Sequence, residues 1–251
     1  MSASLASRTV VIVPTYNEAD NITTLVAAIF QATPAVDILF VDDQSQDGTQ
    51  DKITLMQHQY GHKVHLLARA GKLGLGTAYI AGFQWALARP YHVIVQMDAD
   101  LSHDPAHLPH FLQLLESADV VVGSRYVDGG GTRHWSIGRR CISKAGALYA
   151  RWLLRLPIQD PTGGYNVWHR RVLEAIDLEA VHSIGYAFQI ECKYRAYRAG
   201  FCVVEAPIVF IDRRVGASKM STRIVLEAIL RTWQLRRLRP PSILSQRSTE
   251  R

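Results

Sequence analysis

The chain has 251 residues, 48% hydrophobic and 20% charged, an ordinary globular composition with enough length to bury a sizeable core as one large domain or two small ones. A net charge of +6 and a pI near 9.3 point to an anionic partner: a phosphorylated substrate, a membrane surface or nucleic acid. Three cysteines, Cys141, Cys192 and Cys202, without CxxC spacing argue against a disulfide framework or zinc cluster and for a reducing compartment.

No apolar stretch is long enough to span a bilayer, and Met1 to Arg8 lacks the apolar core of a secretory signal. The expectation is a cytoplasmic protein able to rest on a membrane. Thr9 to Val13 is a β-branched run closed by Pro14, as a buried parallel strand would be. It leads through Pro14-Thr15-Tyr16-Asn17-Glu18 into a helix whose Ile22, Leu25, Val26 and Ile29 recur at helical spacing. Ile38 to Val41 is a second strand, ending in Asp42-Asp43 and a turn with Ser45, Asp47 and Gly48; Val64 to Leu67 is a third. Gly71-Lys72-Leu73-Gly74-Leu75-Gly76 then opens a helix over Thr77 to Ala88. Glycines before a helix let backbone amides approach an anion, but the Gly-Lys-Ser/Thr ending of a P-loop is missing, so this is a turn beside a nucleotide rather than a catalytic loop.

The fourth strand, Val93-Ile94-Val95, stops at Gln96-Met97-Asp98-Ala99-Asp100-Leu101-Ser102. In extended backbone residues i and i+2 share a face, so Asp98 and Asp100 can enter one small volume. Two carboxylates that close repel unless a cation separates them or a proton is shared. Mg²⁺ or Mn²⁺ meets that need, because each takes oxygen ligands, keeps some water and bridges to substrate phosphates. The position supports the reading, since ligands of open α/β sheets bind at strand carboxyl ends. Ser102-His103-Asp104-Pro105 is a helix start. His103, His107 and His110 have metal-like spacing, but Pro105 and Pro109 make that start irregular, and the three are read as exposed histidines rather than a zinc site. The fifth strand, Asp119 to Gly123, ends at Ser124-Arg125. Five alternations of strand and helix predict a doubly wound, mostly parallel sheet that binds a nucleotide.

Beyond residue 125 the alternation weakens. Asp128-Gly129-Gly130-Gly131-Thr132 reads as a flexible loop. A helix follows, with Ala145, Leu148, Tyr149, Trp152, Leu153 and Leu156 as one stripe, Arg140, Lys144, Arg151 and Arg155 elsewhere, and Pro157 as its end. Asp160 to Asn166 is a polar, glycine-bearing loop, Phe188 to Ala199 is helical, and Val203 to Ile211 is a late edge strand containing Pro207. From Ser221 to Leu235 an amphipathic helix places Val225, Leu226, Ile229, Leu230 and Trp233 on one face, followed by Arg236, Arg237 and Arg239. The tail from Pro240 to Arg251 is expected to be disordered. Arg125, Arg139 with Ser143 one turn later, and Arg213 and Lys219 around Val215-Gly216-Ala217-Ser218 place cations beside small polar residues in the way a phosphate is gripped.

Taken in order, Val13-Pro14-Thr15-Tyr16-Asn17-Glu18, Val41-Asp42-Asp43 with Asp47-Gly48-Thr49, Leu73 to Tyr79, Asp98 to His103, Gly123-Ser124-Arg125-Tyr126, Asp160-Pro161-Thr162-Gly163-Gly164, Gly185 to Gln189, and Asp212-Arg213 through Ser218-Lys219 make a specific set. It resembles the inverting family 2 glycosyltransferases of GT-A fold, and within them the dolichyl-phosphate (polyprenyl-phosphate) mannose synthases. The resemblance implies an α/β, GT-A type nucleotide-binding fold, with a mostly parallel central sheet flanked by helices and a C-terminal amphipathic helix. One domain over 1–239 is expected, with a nucleotide-sugar and metal half (9–125) and an acceptor and membrane-facing half (126–239). The implied reaction moves mannose from GDP-mannose to a polyprenyl (dolichyl-type) monophosphate with Mg²⁺ or Mn²⁺, on the cytosolic face of a membrane.

Pro14, Tyr16, Glu18, Asp43, Gly76, Asp98 and Lys219 would then serve the nucleotide sugar. Asp98 and Asp100 would bind the metal, Arg213 would close over the diphosphate, and Arg125, Arg139 and Ser143 would hold the lipid phosphate. Some relatives carry Gln as a metal ligand where this chain has Ser102, which leaves the third protein ligand open. Also open are a UDP-glucose donor, a sugar-hydroxyl acceptor, nucleotide binding without turnover, and a membrane-anchored partner subunit. Nucleic acid is set aside, because no recognisable binding motif for it is present.

Overall fold

A computed structural model of the chain describes residues 6, 8–181, 183, 185–212 and 230–237. Strand and helix alternate through the first half as β1 (Thr9–Thr15), α1 (Ala19–Ala32), β2 (Asp37–Asp42), α2 (Thr49–Tyr60), β3 (Val64–Ala68), α3 (Leu75–Leu87), β4 (Val93–Gln96), α4 (Leu108–Leu114) and β5 (Val120–Ser124). Then come β6 (Gly131–Arg133), α5 (Ile137–Leu154), β7 (Asn166–His169), α6 (Arg170–Ala175), α7 (Tyr186–Arg198), β8 (Val203–Pro207) and β9 (Val209–Ile211). The chain forms two compact units, Met1–Ser117 with Gly164–Arg170, and Ala118–Gly163 with Arg171–Arg251. Their boundary differs from a division at residue 125, because β5 belongs to the second unit and β7 returns to the first.

In the first unit the strands run β3-β2-β1-β4-β7, parallel except for β7, which pairs antiparallel with β4. Val10 to Val13, Ile38 to Val41 and Val93 to Val95 are fully buried. That explains why these strands read as continuous apolar runs: both sheet faces are covered. α3 lies against β1, β2 and β4. Its approach is set by Gly82, where a Cβ would fall 2.6 Å from Ile12 Cγ2 and 3.3 Å from Val41 Cγ2. The register pairs Thr15 with Asp42 and Ile12 with Gln96, so the loops after β1, β2 and β4 leave from one edge of the sheet.

β7 departs from the polar loop expected over Asp160 to Asn166, because a strand begins at Asn166. Its four residues are too few to show a period, and what fixes them is tertiary. Asn166 Nδ2 and Trp168 Nε1 both donate to Gln96 Oε1, at 3.0 and 2.8 Å, while Val167 and Trp168 are buried.

In the second unit β5 pairs parallel with β8, and β6 with β9. The run Val203 to Ile211 is therefore two strands. Pro207 closes β8, and Ile208 then donates its N–H to Ser124 O and accepts from Gly131 N. The glycine loop before β6 is closely packed rather than loose: a Cβ on Gly130 would sit 2.6 Å from Ser124 O.

α5 is capped by Ser136, whose hydroxyl accepts from Arg139 N, and ends at Arg155 in a left-handed conformation. Its buried face is Ala147, Ala150, Leu153 and Leu154, so the expected stripe is corrected: Ala145, Leu148 and Trp152 point outward. Ala150 and Leu154 share a core with Leu156, Ile158, Ile190, Tyr194 and Leu235. Arg213, Lys219, the tail from 240 and the C-terminal helix before residue 230 lie outside the described residues; residues 230–235 are helical. Among the described residues no helix is long and apolar enough to cross a membrane.

Candidate active site

The loops after β1 and β2 are stitched together by side chains. Asp42 accepts from Thr15 Oγ1 (2.8 Å), Ser45 N and Oγ (2.9 and 2.6 Å) and Gln50 Nε2 (2.6 Å). Asn17 N donates to Ser45 Oγ, Glu18 N to Thr49 Oγ1, and Ala19 N to Asp47 Oδ2. Asn17 (φ 58°), Gln44 (φ 58°) and Leu101 (φ 61°) hold left-handed backbone just after β1, β2 and β4. Such strain persists only where the surroundings enforce it, and it gathers at functional sites.

Asp43 explains the glycine-rich turn. Its Oδ1 accepts from Arg69 Nη1 at 2.6 Å, and its Oδ2 accepts from Leu73 N and Gly74 N at 3.0 and 3.2 Å. The glycines thus bring backbone amides to a carboxylate of the protein itself, which fixes the entry to α3 and buries Gly76. Pro14, Tyr16 and Glu18 are half-buried at the same edge. Lys72 Nζ lies 4.0 Å over the Tyr16 ring, and Glu18 Oε2 accepts from Asn21 Nδ2.

The acid pair follows β4. Tyr79 of α3, fully buried, donates its hydroxyl to Asp98 Oδ1 at 3.2 Å. Burial, with the negative charge of Asp98, holds the Tyr79 phenol well above its ordinary pKa, so it stays a donor. His103 is buried rather than exposed: its Nδ1 accepts from Asp98 N at 3.0 Å, and its ring stacks on Tyr165. This network assigns the ring proton to Nε2, 3.8 Å from Asp98 Oδ2. His107 stacks on Phe111 and His110 is exposed, so the three histidines do not converge.

Asp100 Oδ1 accepts from Ser102 N at 3.1 Å, and the Ser102 hydroxyl is buried with no hydrogen-bond partner among the described residues. Among those residues no three His, Cys, Asp or Glu side chains gather to hold a metal. Two carboxylates and a hydroxyl fit a hard cation that keeps water and substrate oxygens as its other ligands, the habit of Mg²⁺ and Mn²⁺.

In the second unit Arg125 is committed to a buried ion pair. Its Nε and Nη2 donate to Asp160 Oδ2 and Oδ1, both at 2.7 Å, Nη2 also reaches Thr162 Oγ1 at 2.8 Å, and Arg125 N donates to Asp160 Oδ2. Trp135, Tyr126 and Phe210 lie within 5.8 Å of the guanidinium. Burial pushes the Asp160 carboxyl up, but Arg125 and, more weakly, Lys193 outweigh it and leave the pKa below its ordinary value. Arg139 lies over Trp135 at 4.2 Å and donates from Nη1 to Asp212 Oδ2 at 2.7 Å. Ser143 accepts from Tyr126 Oη at 2.7 Å. Expected phosphate ligands therefore sit with carboxylate and phenol partners that spacing along the chain could not reveal. Arg69, Tyr79, His103, Asp160 and Lys193 were not singled out as site residues from sequence; each acts through a partner distant in the chain or, for His103, through a backbone N–H.

The Glycosyl transferase family 2 model matches residues 10–177. The polyprenol monophosphomannose synthase of Mycolicibacterium smegmatis is 47% identical over 235 residues, covering 91% of this chain and 88% of its own length. The undecaprenyl-phosphate mannosyltransferase of Micrococcus luteus is 46% identical over 223 residues, covering 89% and 91%. Among solved structures, glucosyl-3-phosphoglycerate synthase from Mycobacterium tuberculosis, in complex with Mn²⁺, UDP and phosphoglyceric acid, superposes with a TM-score of 0.64 at 18% identity, covering 92% of this chain and 80% of that one. The fold is of GT-A type, a mostly parallel sheet flanked by helices, and the chain belongs to glycosyl transferase family 2.

Proposed function

We propose that the protein transfers mannose from GDP-mannose to a polyprenyl (dolichyl-type) monophosphate, with inversion at the anomeric carbon. The sugar and acceptor class follow the names of the two relatives at 46 and 47% identity. The observation that carries the acceptor is the state of the carboxylates beside the proposed acceptor residues: Asp160 is tied to Arg125 and Asp212 to Arg139. A sugar hydroxyl must lose a proton as it attacks and needs a positioned base. A phosphate monoester, with its second pKa near 6, is already mostly dianionic at neutral pH and needs none.

Pro14, Tyr16, Glu18, Asp43 and Gly76 line the nucleotide side, with Asp43 holding the glycine turn in shape. Asp98, Asp100 and Ser102 would hold Mg²⁺ or Mn²⁺, which supplies charge stabilisation to the departing nucleoside diphosphate. Tyr79 and His103 fix Asp98 from both sides. Arg213 and Lys219 serve the diphosphate. On the acceptor side Arg125, held in orientation by Asp160 and Thr162, serves the lipid phosphate together with Arg139 and Ser143. An acceptor phosphate oxygen forms the new bond to the anomeric carbon as the bond to the diphosphate oxygen breaks, and no proton moves. The cations offset repulsion between two anionic substrates.

The lipid is met at a membrane surface. α5 exposes Ile137 (80%), Leu148 (61%) and Trp152 (75%) on the side away from its buried face. Arg140, Lys144 and Arg155 are exposed beside them. An apolar face dipped into the headgroup layer, with cations on anionic lipid, is how such a helix binds a membrane. The test is incubation of the purified chain with labelled GDP-mannose or UDP-glucose and a polyprenyl phosphate, with and without Mn²⁺. Mannosyl lipid should form from GDP-mannose; glucosyl lipid from UDP-glucose as the preferred product would overturn the donor.

A further inference from the structure

α7 is buried from Ala187 to Tyr194 and carries Lys193 at 0% exposure. A lysine seldom enters an interior unless it is paired or fully hydrogen-bonded. Here Nζ donates to Gly163 O at 2.6 Å and to Pro161 O at 3.3 Å, so the ammonium grips loop backbone. Glu205 of β8 accepts from Gln159 N and Asp160 N at 2.6 and 2.8 Å. Asp160 and Thr162 meet Arg125. Every residue from 159 to 163 thereby meets Lys193, Glu205 or Arg125, and two bonds within the loop, Gly163 N to Asp160 O and Thr162 Oγ1 to Asp160 Oδ1, add to these.

We propose that Lys193 is a positioning residue for the acceptor phosphate: its ammonium clamps the 159–163 loop, and that loop's Asp160 and Thr162 fix the guanidinium of Arg125. The proposal rests on the reading that Arg125 serves the acceptor. The charged and titratable groups around Lys193 are Asp160, Cys192, Arg125 and Glu205. Burial, partly offset by Asp160, brings the ammonium down to about 8. At neutral pH it is a cation with three donors, and above that range it becomes an uncharged amine with a weaker hold on the two carbonyls.

The test compares the full-length protein with Lys193→Met and Arg125→Lys, measuring amide hydrogen exchange of the loop and KM for polyprenyl phosphate and for GDP-mannose. In Lys193→Met the amides of the 159–163 loop should exchange faster, the acceptor KM should rise on the order of tenfold, and the donor KM should not move. The wild-type acceptor KM should climb as pH passes about 8, and Lys193→Met, with no proton to lose there, should lack that climb. Unchanged loop exchange overturns the proposal, as does an unchanged acceptor KM in Lys193→Met while Arg125→Lys raises it. If Arg125→Lys itself leaves the acceptor KM alone, the reading of Arg125 fails and the proposal falls with it. Should Lys193→Met not fold, the wild-type profile decides, and a flat acceptor KM through the alkaline range overturns the role.

Discussion

Replacing Asp160 by Asn keeps the side-chain shape but removes the counter-charge of a guanidinium that is almost wholly buried. Three hydrogen bonds from Arg125 now end on that carboxylate, at 3.0, 2.7 and 2.7 Å. Asn offers one accepting oxygen, and its amide nitrogen would face an arginine donor. Breaking a buried pair from one side costs about 3–5 kcal/mol, because the remaining charge is left unmatched. At roughly 2–4 °C per kcal/mol for a chain of this size, Tm should fall by about 6–20 °C. Urea unfolding followed by tryptophan fluorescence measures the loss. A double change, Arg125→Met with Asp160→Leu, should recover part of it, since the guanidinium is no longer stranded, while Lys193 and the Arg125 N–H still lose the carboxylate.

The pH dependence has a definite sign. The folded carboxyl titrates below its unfolded value of about 3.9, so its stabilisation is present above that pH and is lost as pH falls through the lower folded value. Asp160→Asn should therefore flatten the acid limb of the stability curve. An Asn variant that unfolds at the wild-type urea concentration, with an unchanged acid limb, would refute the reasoning.

Gly82→Ala drives a methyl to 2.6 Å from Ile12 Cγ2 and should cost about 1–3 kcal/mol as overpacking, read by the same unfolding assay. Asp43→Asn loosens the grip of Arg69, Leu73 N and Gly74 N on the turn before α3, and should raise the KM for GDP-mannose more than that for lipid phosphate. Trp152→Glu places a charge on the exposed face of α5; flotation with anionic vesicles should show weaker binding than wild type, and wild-type binding should itself weaken with salt.

What was legible in the sequence was what local pattern dictates. β1, β2 and β4 are apolar on both sides, and the polar residues that follow them, from Tyr16 to Glu18, at Asp42-Asp43 and at Asp98 to Ser102, had to collect at one edge of a parallel sheet. β7 was hidden because its place depends on Gln96, seventy residues away from Asn166 in the chain. α5 misled because Leu148 and Trp152 continue an apolar stripe that the core does not use. Arg125 was readable as a cation at a strand end, but its pairing with Asp160 across 35 residues was not. Lys193 was the least readable, since a charged residue on a helix is ordinarily placed on the wet face, and α7 is buried on all sides there.

The most direct measurement is a turnover assay with purified wild-type, Asp98→Asn and Asp100→Asn protein, labelled GDP-mannose, polyprenyl phosphate and Mn²⁺, with the lipid product identified by mass. Wild-type protein should form mannosyl-phosphoryl-polyprenol, and either Asn variant should lose nearly all of that product while unfolding at the wild-type temperature. Undiminished turnover in both variants, or a wild-type chain that consumes GDP-mannose only when a sugar hydroxyl replaces the lipid phosphate, would contradict it.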